Sequence, residues 1–158
     1  MVKVAIGQDS HKFDFSNSNK KLILGGLIFE GCPPLKGNSD ADVILHSITN
    51  AVSGITCVNI LGTVADEMCK NGVIDSKEYL KKALEYLINY KINHLSISIE
   101  CKVPNISSRI EELRENIASI LNIKKQSIGI TATTGEGLTE FGKGEGIQVL
   151  TILTVEEV

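Results

Sequence analysis

The stretch Leu95-Ser96-Ile97-Ser98-Ile99-Glu100 alternates apolar and polar side chains without a break, the pattern of a strand with one buried face. Downstream, Ser108 and Glu111 have capping-box spacing, and Ile110, Leu113, Ile117, Ile120 and Leu121 recur behind them at helical intervals. Ile128, Ile130 and Ala132 begin a further strand. After a glycine-rich loop, Ile147 to Val155 is almost wholly apolar or threonine, as for a strand covered on both sides. Strands separated by a helix of this kind predict an α/β fold. A two-sided strand in so small a chain points to burial between copies.

Toward the N-terminus, Val2, Val4 and Ile6 alternate with Lys3 and Ala5 and stop at Gly7, a first strand. Leu22-Ile23-Leu24 and Leu27-Ile28-Phe29 flank Gly25-Gly26, a two-residue hairpin signal. Pro33 and Pro34 mark the stretch from Gly31 to Asn38 as loop. Ser39 then opens a helix with Asp42 as its acidic capping-box partner, and Val43, Ile48, Ala51, Val52 and Ile55 form its apolar stripe. A short helix is expected around 58–65 and a longer one over about 76–90, with Leu80, Ala83, Leu84, Leu87 and Ile88 inward. The expected architecture is one domain spanning 1–158, a two-layer sandwich of a mixed β-sheet with helices packed on one face.

Composition narrows the function classes. Sixteen basic against nineteen acidic side chains leave a net charge of −3, which offers no electrostatic footprint for nucleic acid or an anionic membrane. No apolar stretch reaches the roughly 20 residues of a membrane span. The alternating pattern starts at once, so no signal peptide is expected. Cys32, Cys57, Cys69 and Cys101 stand far apart, and read as reduced, mostly buried thiols of a cytoplasmic protein.

Candidate chemistry lies in three places. Asp9-Ser10-His11 follows the first strand, and in extended chain its carboxylate and imidazole share a side and can converge on one cation; the plainer reading is a surface loop with Asx-turn bonding. Ser39-Asp40-Ala41-Asp42-Val43-Ile44-Leu45-His46 places Asp42 and His46 four apart on one helix face. Either Ser39 caps, Asp42 complements the dipole and exposed His46 pairs with it, or His46 is a third metal ligand oriented by a carboxylate. Thr131-Ala132-Thr133-Thr134-Gly135-Glu136-Gly137, with Gly142-Lys143-Gly144-Glu145-Gly146, sets hydroxyls beside backbone amides, as a phosphate cradle requires, and Glu136 suits a divalent ion bridging phosphates; a glycine-rich β-turn is the alternative. Gly137 to Lys143 spells the start of a P-loop, but Gly144 replaces the magnesium-binding hydroxyl and a strand pattern follows, which excludes an NTPase. His94 has no acidic or thiol neighbour and is given no role.

Together Asp9-Ser10-His11-Lys12-Phe13, the 39–46 motif, Ala132-Thr133-Thr134 and Gly142-Lys143-Gly144-Glu145-Gly146-Ile147 resemble the 2-C-methyl-D-erythritol 2,4-cyclodiphosphate synthase family, from the first strand to the last. The resemblance implies a single cyclodiphosphate synthase-like domain over 1–158, a homotrimer with sites between subunits, and ring closure of a cytidine diphosphate-linked substrate with loss of CMP. It implies zinc on Asp9, His11 and His46, and magnesium or manganese on Glu136. It assigns catalytic roles to Asn38 and Thr134, and substrate contacts to Ser39, Asp42, Lys102, Pro104, Thr133, Gly135, Glu136 and Lys143. Asn38 stands where the family usually has His, and Asn59-Ile60-Leu61 where it has Gly-Asp-Ile. Pro104-Asn105 replaces Pro-Lys, with Lys102 as a substitute; Lys143 replaces a common Arg, and Gln8 an aromatic. The expected function is the synthase. The alternatives are a non-catalytic trimeric zinc protein holding a cytidine nucleotide or isoprenoid diphosphate, and a metal-dependent phosphohydrolase.

Overall fold

A computed structural model describes residues 1–158. Strand β1 runs Val2–Lys12, the hairpin β2 (Leu22–Leu24) and β3 (Leu27–Phe29) follows, and then come helices α1 (Val43–Thr56), α2 (Thr63–Lys70) and α3 (Ser76–Leu84). Strand β4 (Tyr90–Glu100), helix α4 (Ile110–Leu121), β5 (Ile128–Thr133) and β6 (Gly146–Glu157) complete the chain. The main sheet has order β1-β6-β4-β5; β6 is antiparallel to both neighbours, while β4 and β5 are parallel. This is the expected mixed sheet. Helix α1 packs on β1 and β6, α4 on β5, and α3 on α1. One continuous core of buried aliphatic side chains joins the layers, with Phe13, Phe29 and Tyr79 as its aromatic members. No helix is long and apolar enough to cross a membrane.

Several expectations change. Strand β1 continues through Gly7 to Lys12, so Asp9 and His11 lie in the strand rather than beyond it. Strand β6 is covered on one face within the chain: Ile147, Val149, Leu153 and Val155 are buried, whereas Ile152 is 46% exposed. Val2, Val4 and Ile6 are exposed as well. Helix α2 starts at Thr63 and runs to Lys70, later than expected, and α3 ends at Leu84. The Ser108–Glu111 box does not form, because a 3-10 turn over Ser107–Arg109 precedes α4 and the Ser108 hydroxyl donates to the Asn105 carbonyl. Among the thiols only Cys101 is buried; burial, with Cys32 and Glu100 nearby, pushes it up to about 12.

The largest local correction is at Asp42. The cap of α1 is Asp42, not Ser39: its carboxylate accepts from the Leu45 amide at 3.1 Å. The same carboxylate accepts from Gly25 N at 2.8 Å and Gly26 N at 2.7 Å. These glycines sit at φ +60 and +80, the left-handed pair that a tight two-residue hairpin demands. Asp42 therefore docks the β2–β3 hairpin onto the N-terminus of α1. It is fully enclosed, so it is a structural anchor and not a substrate ligand. Burial pushes its carboxyl up to about 6, against the pull of its three N–H donors. Asp42→Ala strands those donors, and is expected to cost about 2–3 kcal/mol in denaturant unfolding.

Candidate active site

Three donor atoms from two elements meet at one end of the sheet. Asp9 and His11 alternate along β1, so both project toward the helix layer, and α1 lays His46 over them. Asp9 Oδ2 lies 2.9 Å from His11 Nε2 and 3.1 Å from His46 Nδ1. The ligand atoms of the three residues all fall within 4.8 Å of one another. Asp9 and His11 are half-buried, and His46 is only 8% exposed. The expectation of an exposed helix histidine paired with Asp42 is thus corrected: its ring faces Asp9.

The hydrogen-bond partners fix what this corner can hold. His11 Nδ1 is 2.7 Å from the Lys36 carbonyl, and a carbonyl only accepts. Nδ1 therefore carries a proton, and Nε2 is the ring atom that faces the carboxylate oxygen. Lys20 steadies that loop by donating to the Leu35 and Gly37 carbonyls on either side. Two acceptors at 2.9 Å repel unless a positive charge sits between them. Burial pushes Asp9 up and works against charging His11, yet their mutual hydrogen bond prevails. Asp9 is held below the ordinary carboxylate range and His11 above the ordinary imidazole range. A two-nitrogen, one-oxygen donor set with a proton in the cation's place fits a divalent metal, and three protein ligands leave a fourth position open.

That open side faces a cleft of about 220 Å³ lined by the triad together with Asn38, Ser39, Leu61, Asp66 and Cys69. Asn38 and Ser39 therefore stand beside the candidate metal site. Ser39 Oγ accepts from the Ala41 amide, which leaves its O–H free to donate. Ile60 is buried in the core and Leu61 takes the cleft wall. Asp66, which falls where the resembled family carries a Phe-Pro-Asp loop, and Cys69 were given no site role from sequence, yet both line this cleft from α2. Sequence reading also missed Ser76, whose hydroxyl lies 2.8 Å from His46 Nε2. The one available signal was the Asp75-Ser76 start of a helix, which looks like any cap.

The remaining candidates gather at the opposite sheet edge. Lys102, Pro104, Thr133 and Thr134 line a second cleft of about 360 Å³ with residues 105–107. Thr133 Oγ1 accepts from the Gly135 amide, and Thr134 Oγ1 from that of Glu136, so both hydroxyls keep a free O–H. The Gly135 amide is consequently spent inside the loop. Its glycine is required for another reason: at φ +72, a Cβ would collide with the Glu100 carboxylate. Gly135 shapes the loop and offers no free amide to a ligand. Glu136 is exposed, at φ +51. Lys143 borders neither cleft and pairs with Glu140 at 3.0 Å. In sheet register, Asp9, Val149, Ile99 and Ala132 form one row. The two clefts thus lie at the same end of the sheet but three strand spacings apart, about 14 Å.

A one-sided α/β sandwich whose sheet end brings a carboxylate and two imidazoles together on one edge, with a threonine-lined cleft on the other, has the class of site that can hold a divalent metal and meet phosphate groups. Residues 2–156 match the model of the YgbB family. The 2-C-methyl-D-erythritol 2,4-cyclodiphosphate synthase of Chlamydia muridarum (strain MoPn / Nigg) is 49% identical over 159 residues, covering 99% of this chain and 89% of the relative. The synthase of Chlamydia abortus (strain DSM 27085 / S26/3) is 48% identical, at 99% and 90% coverage. Among solved structures, IspF of Plasmodium falciparum in complex with CDP superposes with a TM-score of 0.85 at 27% identity, covering 99% of this chain and 96% of that one. The bifunctional IspDF of Campylobacter jejuni gives a TM-score of 0.88 at 28% identity, covering all of this chain and 43% of that one. The chain belongs to the YgbB family, that of the 2-C-methyl-D-erythritol 2,4-cyclodiphosphate synthases.

Proposed function

We propose that this chain converts 4-diphosphocytidyl-2-C-methyl-D-erythritol 2-phosphate to 2-C-methyl-D-erythritol 2,4-cyclodiphosphate and CMP. A 2-phosphate oxygen attacks the β-phosphorus, one P–O bond forms, and the bond to the α-phosphate breaks with its electron pair leaving on CMP. The observation that carries the reading is the convergence of Asp9, His11 and His46 on one corner able to hold a divalent cation, in a chain of this family. Asp9, His11 and His46 would hold zinc and Glu136 would hold magnesium or manganese, and these ions would supply charge neutralisation at the phosphates.

The chain's own groups do the positioning. The Asn38 amide and the Ser39 hydroxyl donate to phosphate oxygens beside the triad, and Asn38 does so without the charge of a histidine. The Thr133 and Thr134 hydroxyls donate to the diphosphate as charge shifts to the leaving oxygen, with Thr134 the catalytic member. Lys102 and the Pro104 turn border the cleft suited to the cytidine. Asp42 and Gly135 belong to the scaffold, and Lys143 has no contact that supports a substrate role.

Clefts on opposite edges of one sheet are too far apart to grip one diphosphate from both sides. Placing the β5-side wall of one copy against the β1-side cleft of the next brings them together. The exposed Val2, Val4, Ile6 and Ile152 offer an apolar sheet face for such contact. This supports a homotrimer with the active site between subunits.

Phosphorus NMR of the reaction with zinc and magnesium present tests the assignment. Equal amounts of CMP and cyclic diphosphate are expected. Chelation is expected to stop turnover, and added zinc to restore it, with the fold unchanged by circular dichroism. Intact substrate alongside bound zinc and CDP would identify a binding protein instead, and linear hydrolysed phosphate a hydrolase.

A further inference from the structure

Ser76 opens α3 with its side chain fully enclosed, and no step above uses it. Its Oγ donates a short hydrogen bond to Oδ1 of Asp40 and lies 2.8 Å from Nε2 of His46. A serine hydroxyl has one proton, and an ionised carboxylate can only accept. With that proton given to Asp40, Oγ meets the imidazole as an acceptor. Nε2 of His46 must therefore carry its hydrogen, and the bare Nδ1 is the atom aimed at Asp9 Oδ2. The Asp40 carboxylate is itself fixed by the backbone N–H groups of Asp42 and Ser76.

We infer that Ser76 and Asp40 are positioning residues that set the His46 tautomer and hold its free Nδ1 on the cation. The arrangement matches the one behind His11, where the Lys36 carbonyl takes the distal ring proton. At His46 the hydroxyl is backed by a carboxylate, which also makes Nδ1 a stronger donor to a metal. The three participants come from the loop before α1, from α1 and from α3, so docking of α3 is coupled to ligand geometry. The inference rests on Asp9, His11 and His46 holding a cation, and its test separates the two.

Zinc affinity would be measured by chelator competition for the wild-type chain, Ser76→Ala and Ser76→Thr, with the absorption spectrum of the cobalt-loaded forms as a second readout. Ser76→Ala is expected to bind zinc about ten- to a hundredfold more weakly and to shift the cobalt bands. Ser76→Thr keeps the hydroxyl and is expected to restore most of the affinity. A purely structural serine would leave both readouts unmoved. A folded Ser76→Ala chain with wild-type zinc affinity would overturn the inference while sparing the metal site. A wild-type chain that binds no zinc would overturn both. Nitrogen-15 histidine spectra of the zinc-loaded wild type need no variant: coordination through Nδ1 with a slowly exchanging Nε2–H is expected, and coordination through Nε2 would overturn the inference even if Ser76→Ala fails to fold.

Discussion

Replacing His46 with alanine is expected to cut turnover by roughly a thousandfold or more, because several kcal/mol of charge stabilisation depend on a complete ligand set. Removal leaves Asp9 and His11 as two donors at an open corner, too few to retain zinc through gel filtration. Read from sequence alone, this histidine is exposed and its loss is free of structural cost. The structure says otherwise: the ring is nearly buried, lies tilted with its centroid 6.2 Å from that of Tyr79, and sits within 3.1 Å of Asp9 and 2.8 Å of the Ser76 hydroxyl. A stability loss of about 2 kcal/mol should therefore accompany the loss of activity. CMP release, metal content and denaturant midpoint, measured on the same preparation, check all three parts. Added zinc at high concentration should recover little activity. His94→Ala is the matched control: that residue is exposed on β4, and should change none of the readouts. Turnover at wild-type levels in His46→Ala would sink the triad assignment.

The sheet, the hairpin and the main helices were legible because their apolar periods are long and the Gly25-Gly26 turn has specific chemistry. The triad was legible as residue types, but its convergence was not, since β1 and α1 are joined by thirty residues of loop and hairpin. Boundaries failed where a polar side chain had two possible jobs. Ser39 and Asp42 both look like caps, and only the hairpin amides reaching Asp42 from residues 25 and 26 decide between them. Asp42 was assigned to substrate for the same reason: a carboxylate in a functional motif looks alike whether it faces a ligand or the backbone. Ser76 was silent because its partners, Asp40 and His46, are thirty or more residues away. The two-sided reading of β6 recognised an apolar strand correctly, but a single chain covers only one of its faces.

Gly7 was misread most instructively, and the error yields the second large effect. A glycine after an alternating run looks like a stop, yet β1 passes straight through it. Its role is close approach: a Cβ there would overlap the Ser47 carbonyl oxygen and the Ala51 amide nitrogen of α1. Those are backbone atoms of a helix with its core face already packed, so no side-chain rotation relieves the clash. Gly7 also pairs with Thr151 of β6, whose hydroxyl bonds Ser47 at 2.7 Å in a fully buried contact. Gly7→Ala must therefore lift α1 from the sheet and strain that bond, at an expected cost of about 4 kcal/mol or more. The same lift reaches the site, because Asp9 is two residues beyond Gly7 and His46 is next to Ser47. Any folded fraction of Gly7→Ala should consequently bind zinc at least about tenfold more weakly, although no ligand has been touched. Gly54→Ala sets the scale: a Cβ there meets only the Ala5 methyl at 3.0 Å and the Ile6 carbonyl oxygen at 3.8 Å, so a milder loss is expected, with zinc binding preserved. Thermal unfolding with and without zinc would separate the effects, since a lost metal site appears as a smaller zinc-induced rise in Tm. An unchanged rise in Gly7→Ala would show that the strand–helix contact does not set the ligand geometry.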